Sequence, residues 1–121
     1  MKRLNIKLIK LFITFFVVAV VPLQAFAHTK LISSVPEDGA TLISAPKEIT
    51  LKFENGIRLT TVTLTRSGDK TIKLQLDKKV TFQTDYSLVT SNMNLGEYLL
   101  EWRGLGEDGH VLIGKFTYNV K

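Results

Sequence analysis

From residue 31 onward the chain is a series of short runs in which apolar and polar residues alternate, separated by turn-forming residues. Ile49-Thr50-Leu51-Lys52-Phe53 alternates with period two, as a strand with one buried face does, and Thr61-Val62-Thr63-Leu64-Thr65 repeats the pattern. Thr71-Ile72-Lys73-Leu74-Gln75-Leu76 repeats it again after the turn residues Ser67-Gly68-Asp69. Leu31–Val35 is a first candidate strand, ended by Pro36 and Glu37-Asp38-Gly39, and Ala45-Pro46 marks a second break. Asn55-Gly56 is a turn signal between two apolar runs. Val80–Phe82 and Tyr86–Val89 are shorter candidates. Tyr98–Arg103 and Val111–Val120 close the chain, with Phe116, Tyr118 and Val120 sharing one face. About seven short strands without helical periodicity predict an all-β fold, an antiparallel β-sandwich. Trp102 lies on the apolar face of the Tyr98-Leu100-Trp102 pattern and is expected in the core.

The first thirty residues follow a different rule. Lys2, Arg3, Lys7 and Lys10 occur without an acid and precede the apolar run Leu11–Val21, after which Pro22 interrupts any helix. Ala25-Phe26-Ala27 then places small residues at the two positions a signal peptidase reads. The uninterrupted run is shorter than the roughly 20 residues of a membrane span. Residues 1–27 are therefore read as a cleaved signal peptide and residues 28–121 as one domain.

Removing that segment changes the charge balance. Four of the sixteen bases lie in it, leaving twelve bases against eleven acids and a formal net charge of +1 over 94 residues. No basic patch of the kind that binds nucleic acid remains. The chain has no cysteine, so disulfides and thiolate ligands are excluded.

The same cut creates the candidate chemistry. With cleavage after Ala27, His28 becomes the first residue, and its free α-amine and imidazole can chelate a single metal ion. The only other histidine, His110, sits in Glu107-Asp108-Gly109-His110. In extended conformation the i, i+2 spacing points Asp108 and His110 to one side. Three nitrogens and one carboxylate oxygen from His28, Asp108 and His110 form a donor set suited to Cu(II). In a sandwich, a first strand and a strand near the C-terminus can be neighbours, which would let the two parts of the set meet. Gly104-Leu105-Gly106-Glu107-Asp108-Gly109 satisfies G-x-G-x-x-G, but a strand pattern follows it and no βαβ unit is present, so it is not read as a nucleotide-binding loop.

At these residues the chain resembles the CopC-like periplasmic copper-binding proteins. The matching residues include His28-Thr29-Lys30-Leu31, Ser34-Val35-Pro36, Asp38-Gly39-Ala40 and Leu51-Lys52-Phe53, then Trp102-Arg103, Asp108-Gly109-His110 and Phe116 to Val120. The resemblance implies an immunoglobulin-like, Greek-key sandwich that holds Cu(II) through His28, Asp108 and His110. It also implies a role in periplasmic copper homeostasis and resistance, as a carrier or buffer beside a membrane copper transporter. With no second constellation of acid, base or nucleophile, no basic patch and no aromatic-rich platform, the chain is expected to be a non-enzymatic monomer with neither nucleic acid nor glycan as partner. The chain departs from the family in having Val111 where proline often follows the Asp-Gly-His, and Gly104-Leu105-Gly106 before it. Met93 is the one methionine beyond residue 27, so the Met-rich Cu(I) segment of some relatives is not expected. Two other readings share the same residues: a copper-dependent oxidase of the lytic polysaccharide monooxygenase type, and a metal-free immunoglobulin-like interaction module.

Overall fold

The computed structural model describes residues 30–77, 81–91 and 93–121, so the proposed leader and His28 lie outside the described residues. Seven strands are present among them: β1 (Leu31–Val35), β2 (Ala40–Leu42), β3 (Glu48–Arg66), β4 (Thr71–Lys73), β5 (Gln83–Val89), β6 (Gly96–Gly106) and β7 (Val111–Val120). The all-β sandwich expected from the alternation is the architecture observed.

The two layers share one strand. The first half of β3 pairs antiparallel with β1 and β5, from Glu48 to Phe53, and the second half pairs with β6 and β4, from Ile57 to Arg66. The continuous path β1-β3-β6-β7-β2 therefore curls over itself into two layers. Asn55-Gly56 lies inside this strand and makes no turn. The residue pair is a turn signal only where the chain can reverse, and here the strand continues through an irregularity in its register with β5, to pair Ile57 with Gly106. The Glu107 side chain uses the space that Gly56 leaves open: a Cβ there would lie 2.7 Å from its carboxylate.

The burial pattern of β3 records a change of phase. Ile49, Leu51, Phe53, Ile57 and Leu59 are buried at odd positions, and Val62 and Leu64 at even ones. Between them the register shifts: Leu59 opposes Gly104 and Thr61 opposes Arg103, leaving Thr60 as an extra residue. A one-residue bulge inverts which side chains face the core, so the stretch paired with β6 keeps its apolar residues inside on both sides of Thr60. The Thr60 hydroxyl donates to the Arg103 carbonyl at 3.1 Å and secures the bulge. β6 alternates without interruption, burying Tyr98, Leu100 and Trp102.

An aromatic contact joins the layers: Phe53 meets Trp102 edge to face with ring centroids 5.0 Å apart. Within the β6–β7 ladder Tyr98 stacks on its cross-strand partner Tyr118 at 5.2 Å. Trp102 stands opposite Gly114 on β7, where a Cβ would fall 2.4 to 2.6 Å from indole atoms, so the ring occupies the place a side chain would take. Tyr86 holds the β3 crossover: its hydroxyl donates to the Ile57 carbonyl at 2.5 Å and accepts from the Leu59 amide at 3.3 Å.

Three elements differ from the sequence expectation. β2 pairs parallel with Tyr118–Val120 of β7, a three-residue match too short to register as an alternating run. The β4 ladder stops at Lys73, although Leu74 still donates to the Val62 carbonyl and is buried. Thr81 and Phe82 are not in a strand, and Val80 lies outside the described residues.

Removing only the hydroxyl, with Tyr86→Phe, leaves two backbone groups of the crossover without their partner and should lower stability by about 1–2 kcal/mol. Urea denaturation checks this; an unchanged midpoint would show that water replaces the phenol.

Candidate metal centre

Asp108 and His110 occupy the hairpin between β6 and β7. The Gly106 amide donates to the His110 carbonyl at 2.9 Å and the Gly109 amide to the Gly106 carbonyl at 3.0 Å, closing a tight loop. Gly109 has φ of 84°, in the left-handed region that a side chain disfavours. The pair is therefore not extended, as its i, i+2 spacing alone predicts; the turn itself folds the two side chains together.

Both oxygens of Asp108 are directed at His110. Oδ1 accepts the His110 amide at 3.0 Å, the short polar side chain closing an Asx-type turn, and Oδ2 lies 2.9 Å from Nδ1. A carboxylate only accepts, so Nδ1 carries the ring proton and Nε2 keeps the free lone pair. The contact holds the Asp108 carboxyl below its ordinary pKa, first through the imidazole hydrogen bond and then through the backbone one. The His110 side chain is about three-quarters exposed, so its Nε2 opens to solvent. A metal-ligating imidazole commonly has its other nitrogen fixed by a carboxylate in this manner.

The hairpin is seated on the β3 crossover. Glu107 packs against Gly56 beside Phe82, and the Arg58 guanidinium covers the Phe82 ring at 4.7 Å. Glu107 and Gly56 were not singled out as site-shaping residues by the sequence; the only signal was Asn55-Gly56, read there as a turn.

His28 lies outside the described residues. The chain enters them at Lys30, whose carbonyl accepts the Glu54 amide at 2.8 Å. Glu54 precedes Ile57, the partner of Gly106, so the chain enters at the end of the sandwich that carries the Asp108–His110 hairpin. β1 and β7 are not paired neighbours as the sandwich reading allowed, since β1 pairs with β3. Among the described residues, no group of three or more His, Cys, Asp or Glu side chains is gathered for a metal ion. Asp108 and His110 are thus two members of a set that needs further donors.

With this geometry in hand, similarity to known proteins becomes informative. Residues 31–121 match the CopC domain. The chain belongs to the CopC family. It is 31% identical over 107 residues to copper resistance protein C of Xanthomonas campestris pv. juglandis, covering 81% of this chain and 84% of that protein. Protein YobA of Escherichia coli K12 is 28% identical over 103 residues, covering 81% and 82% of the respective chains. Among solved structures, CopC from Methylosinus trichosporium OB3b superposes with a TM-score of 0.66 at 21% identity, over 78% of this chain and 94% of that one. PcoC, a methionine-rich copper resistance protein from Escherichia coli, gives 0.57 at 24% identity, over 78% and 100%. Both likenesses bear on the fold. The CopC family comprises copper-binding resistance proteins, not enzymes, so the monooxygenase reading is set aside.

Replacing Asp108 with Ala should release the imidazole to the commoner Nε2-protonated tautomer, visible in the nitrogen-15 shifts of His110 at neutral pH. The same substitution should weaken copper binding by about 10- to 100-fold. Retention of the wild-type tautomer would assign the ring orientation to the turn alone.

Proposed function

We propose that this chain is exported through cleavage after Ala27 and binds one Cu(II) ion in the periplasm. The ligands are the His28 amine and imidazole, Asp108 and His110. The role is that of a carrier or buffer in copper homeostasis and resistance, with a membrane copper transporter as the recipient. The observation that carries the reading is the Asp108–His110 pair, with Nδ1 engaged and Nε2 free, at the end where the chain enters from His28. Family membership and the copper-resistance relatives support copper as the cargo.

In this reading Asp108 has two oxygens and two duties. One oxygen can hold the turn through the His110 amide while the other turns toward the metal or toward Nδ1. Cu(II) is favoured over Cu(I) by the nitrogen and oxygen donors. Met93, the only methionine beyond the leader, packs against the core and accepts a hydrogen bond from the Tyr118 hydroxyl at 3.6 Å, so its thioether is engaged in packing.

Protons compete with copper for the same nitrogens. An unperturbed α-amine and an unperturbed imidazole have reference pKa values near ~7.7–8.0 and ~6.5. Asp108, with its lowered pKa, is ionised above its ordinary value of 3.8 and becomes protonated only as pH falls through its lower folded value. Between pH 8 and 5 the proton competition therefore belongs to the nitrogens. Copper affinity should fall by about a thousandfold or more over that range. A flat response would exclude the terminal amine.

The deciding experiment is an electron paramagnetic resonance titration of Cu(II) into protein whose first residue is established by mass spectrometry as His28. A single nitrogen-rich signal saturating at one equivalent is expected. Weak, heterogeneous signals would instead favour an immunoglobulin-like module without metal.

A further inference from the structure

The first half of β7 has an open edge. β7 pairs with β6 along its length, but β2 covers its other side only at Tyr118–Val120. Thr117, the next position, is capped: its carbonyl accepts the Gly39 amide and its amide donates to Asp38. Backbone groups on one side of a strand belong to alternate residues, so Val111, Ile113 and Lys115 turn their amides and carbonyls away from β6 as Thr117 does. No strand among the described residues pairs with those three positions. Val111 and Ile113 also expose large apolar side chains.

Beside this edge runs a groove of about 500 Å³ between β7 and β1, lined by Leu31, Ser33, Trp102, Gly114, Lys115 and Phe116. The indole edge carrying Nε1 lies over Gly114 at the groove wall. Trp102 is 94% buried and its Nε1 has no hydrogen-bond partner among the described residues. A buried donor without an acceptor is costly, and such groups are rare in folded proteins.

We propose that the β7 edge and this groove receive an extended, uncharged segment of another protein, added as a strand beside Val111–Lys115. Its backbone completes the ladder at Val111, Ile113 and Lys115. Its inward side chains fill the groove, where a hydroxyl or carbonyl supplies the acceptor that Trp102 lacks. The flanking charges are mixed, with Lys115 and Arg103 offset by Glu101, Glu37 and Asp38, which favours a neutral occupant of alternating apolar and hydroxyl residues. A second copy docking by its own β7 fits less well. Its inward residues Phe116 and Tyr118 are buried in its own core and could not enter the groove. Because Val111 directly follows His110, the occupant would run beside the hairpin of the candidate metal centre, though strand addition itself requires no metal.

The test is NMR of nitrogen-15-labelled protein expressed from the full sequence, without copper, its first residue determined by mass spectrometry. The probe is an octapeptide alternating valine and threonine, flanked by one lysine at each end. Saturable shifts are expected at the Ile113 and Lys115 amides and the Trp102 indole, with exchange of the two amides slowed by about tenfold or more. Ile113→Pro removes one outward donor in a manner edge strands tolerate and should abolish binding. The same peptide N-methylated at alternate residues should fail to bind the unaltered protein, a control that does not depend on the variant folding. Absence of saturable shifts, or shifts at β4 and β5 in place of β7, would overturn the proposal. Slow exchange at Ile113 and Lys115 before peptide is added would overturn it too. Sedimentation would then separate a second copy on the edge from the chain's own N-terminal segment. These readouts use no copper, so failure here leaves the copper reading standing, and failure of copper binding leaves this one standing.

Discussion

One strand belongs to both layers of this protein, and the rest is arranged around that fact. β3 can serve two sheets only if its apolar side chains face the core in both. One phase serves from Ile49 through Leu59, past the crossover, and the extra residue at Thr60 then shifts it so that Val62 and Leu64 face the core as well. Phe53 and Trp102 then meet across the layers, one from each side of the bulge. Tyr86 ties the crossover from the flanking strand by bonding two backbone groups of β3 at once.

That crossover also places the candidate metal centre. The Asp108–His110 hairpin begins where Gly106 pairs with Ile57, and Glu107 rests on the space left by Gly56. The same short stretch of β3 receives the incoming chain at Lys30 through Glu54. The entry of the chain at Lys30 and the hairpin that carries His110 are thus drawn toward one end of the molecule by a single segment of strand. Within the hairpin, Asp108 spends both oxygens on His110, which orders the ring and leaves one nitrogen for a ligand.

Much of this was legible in the residues. Period-two alternation identified the two halves of β3, β6 and β7, because each buries one face against a continuous core, and the break at Pro36 delimited β1. Trp102 was correctly read as a core residue. The chemistry-bearing pair Asp108 and His110 stood out because a chain with two histidines and no cysteine has few ways to hold a soft or borderline metal.

The remainder depended on contacts between distant residues. Asn55-Gly56 has the local chemistry of a turn, and only the ladder on both sides of β3 holds it in a strand. β2 is three residues long and exists because β7 offers it an edge. The sequence by itself determined which faces are apolar, where the chain can break and which side chains can bind a metal, since these are properties of residues and their near neighbours. Tertiary structure decided the bulge at Thr60, the seating of Glu107 on Gly56 and the pairing of β2 with β7. Each of those is a choice among locally equivalent conformations, and only packing against residues far along the chain makes one of them lower in free energy.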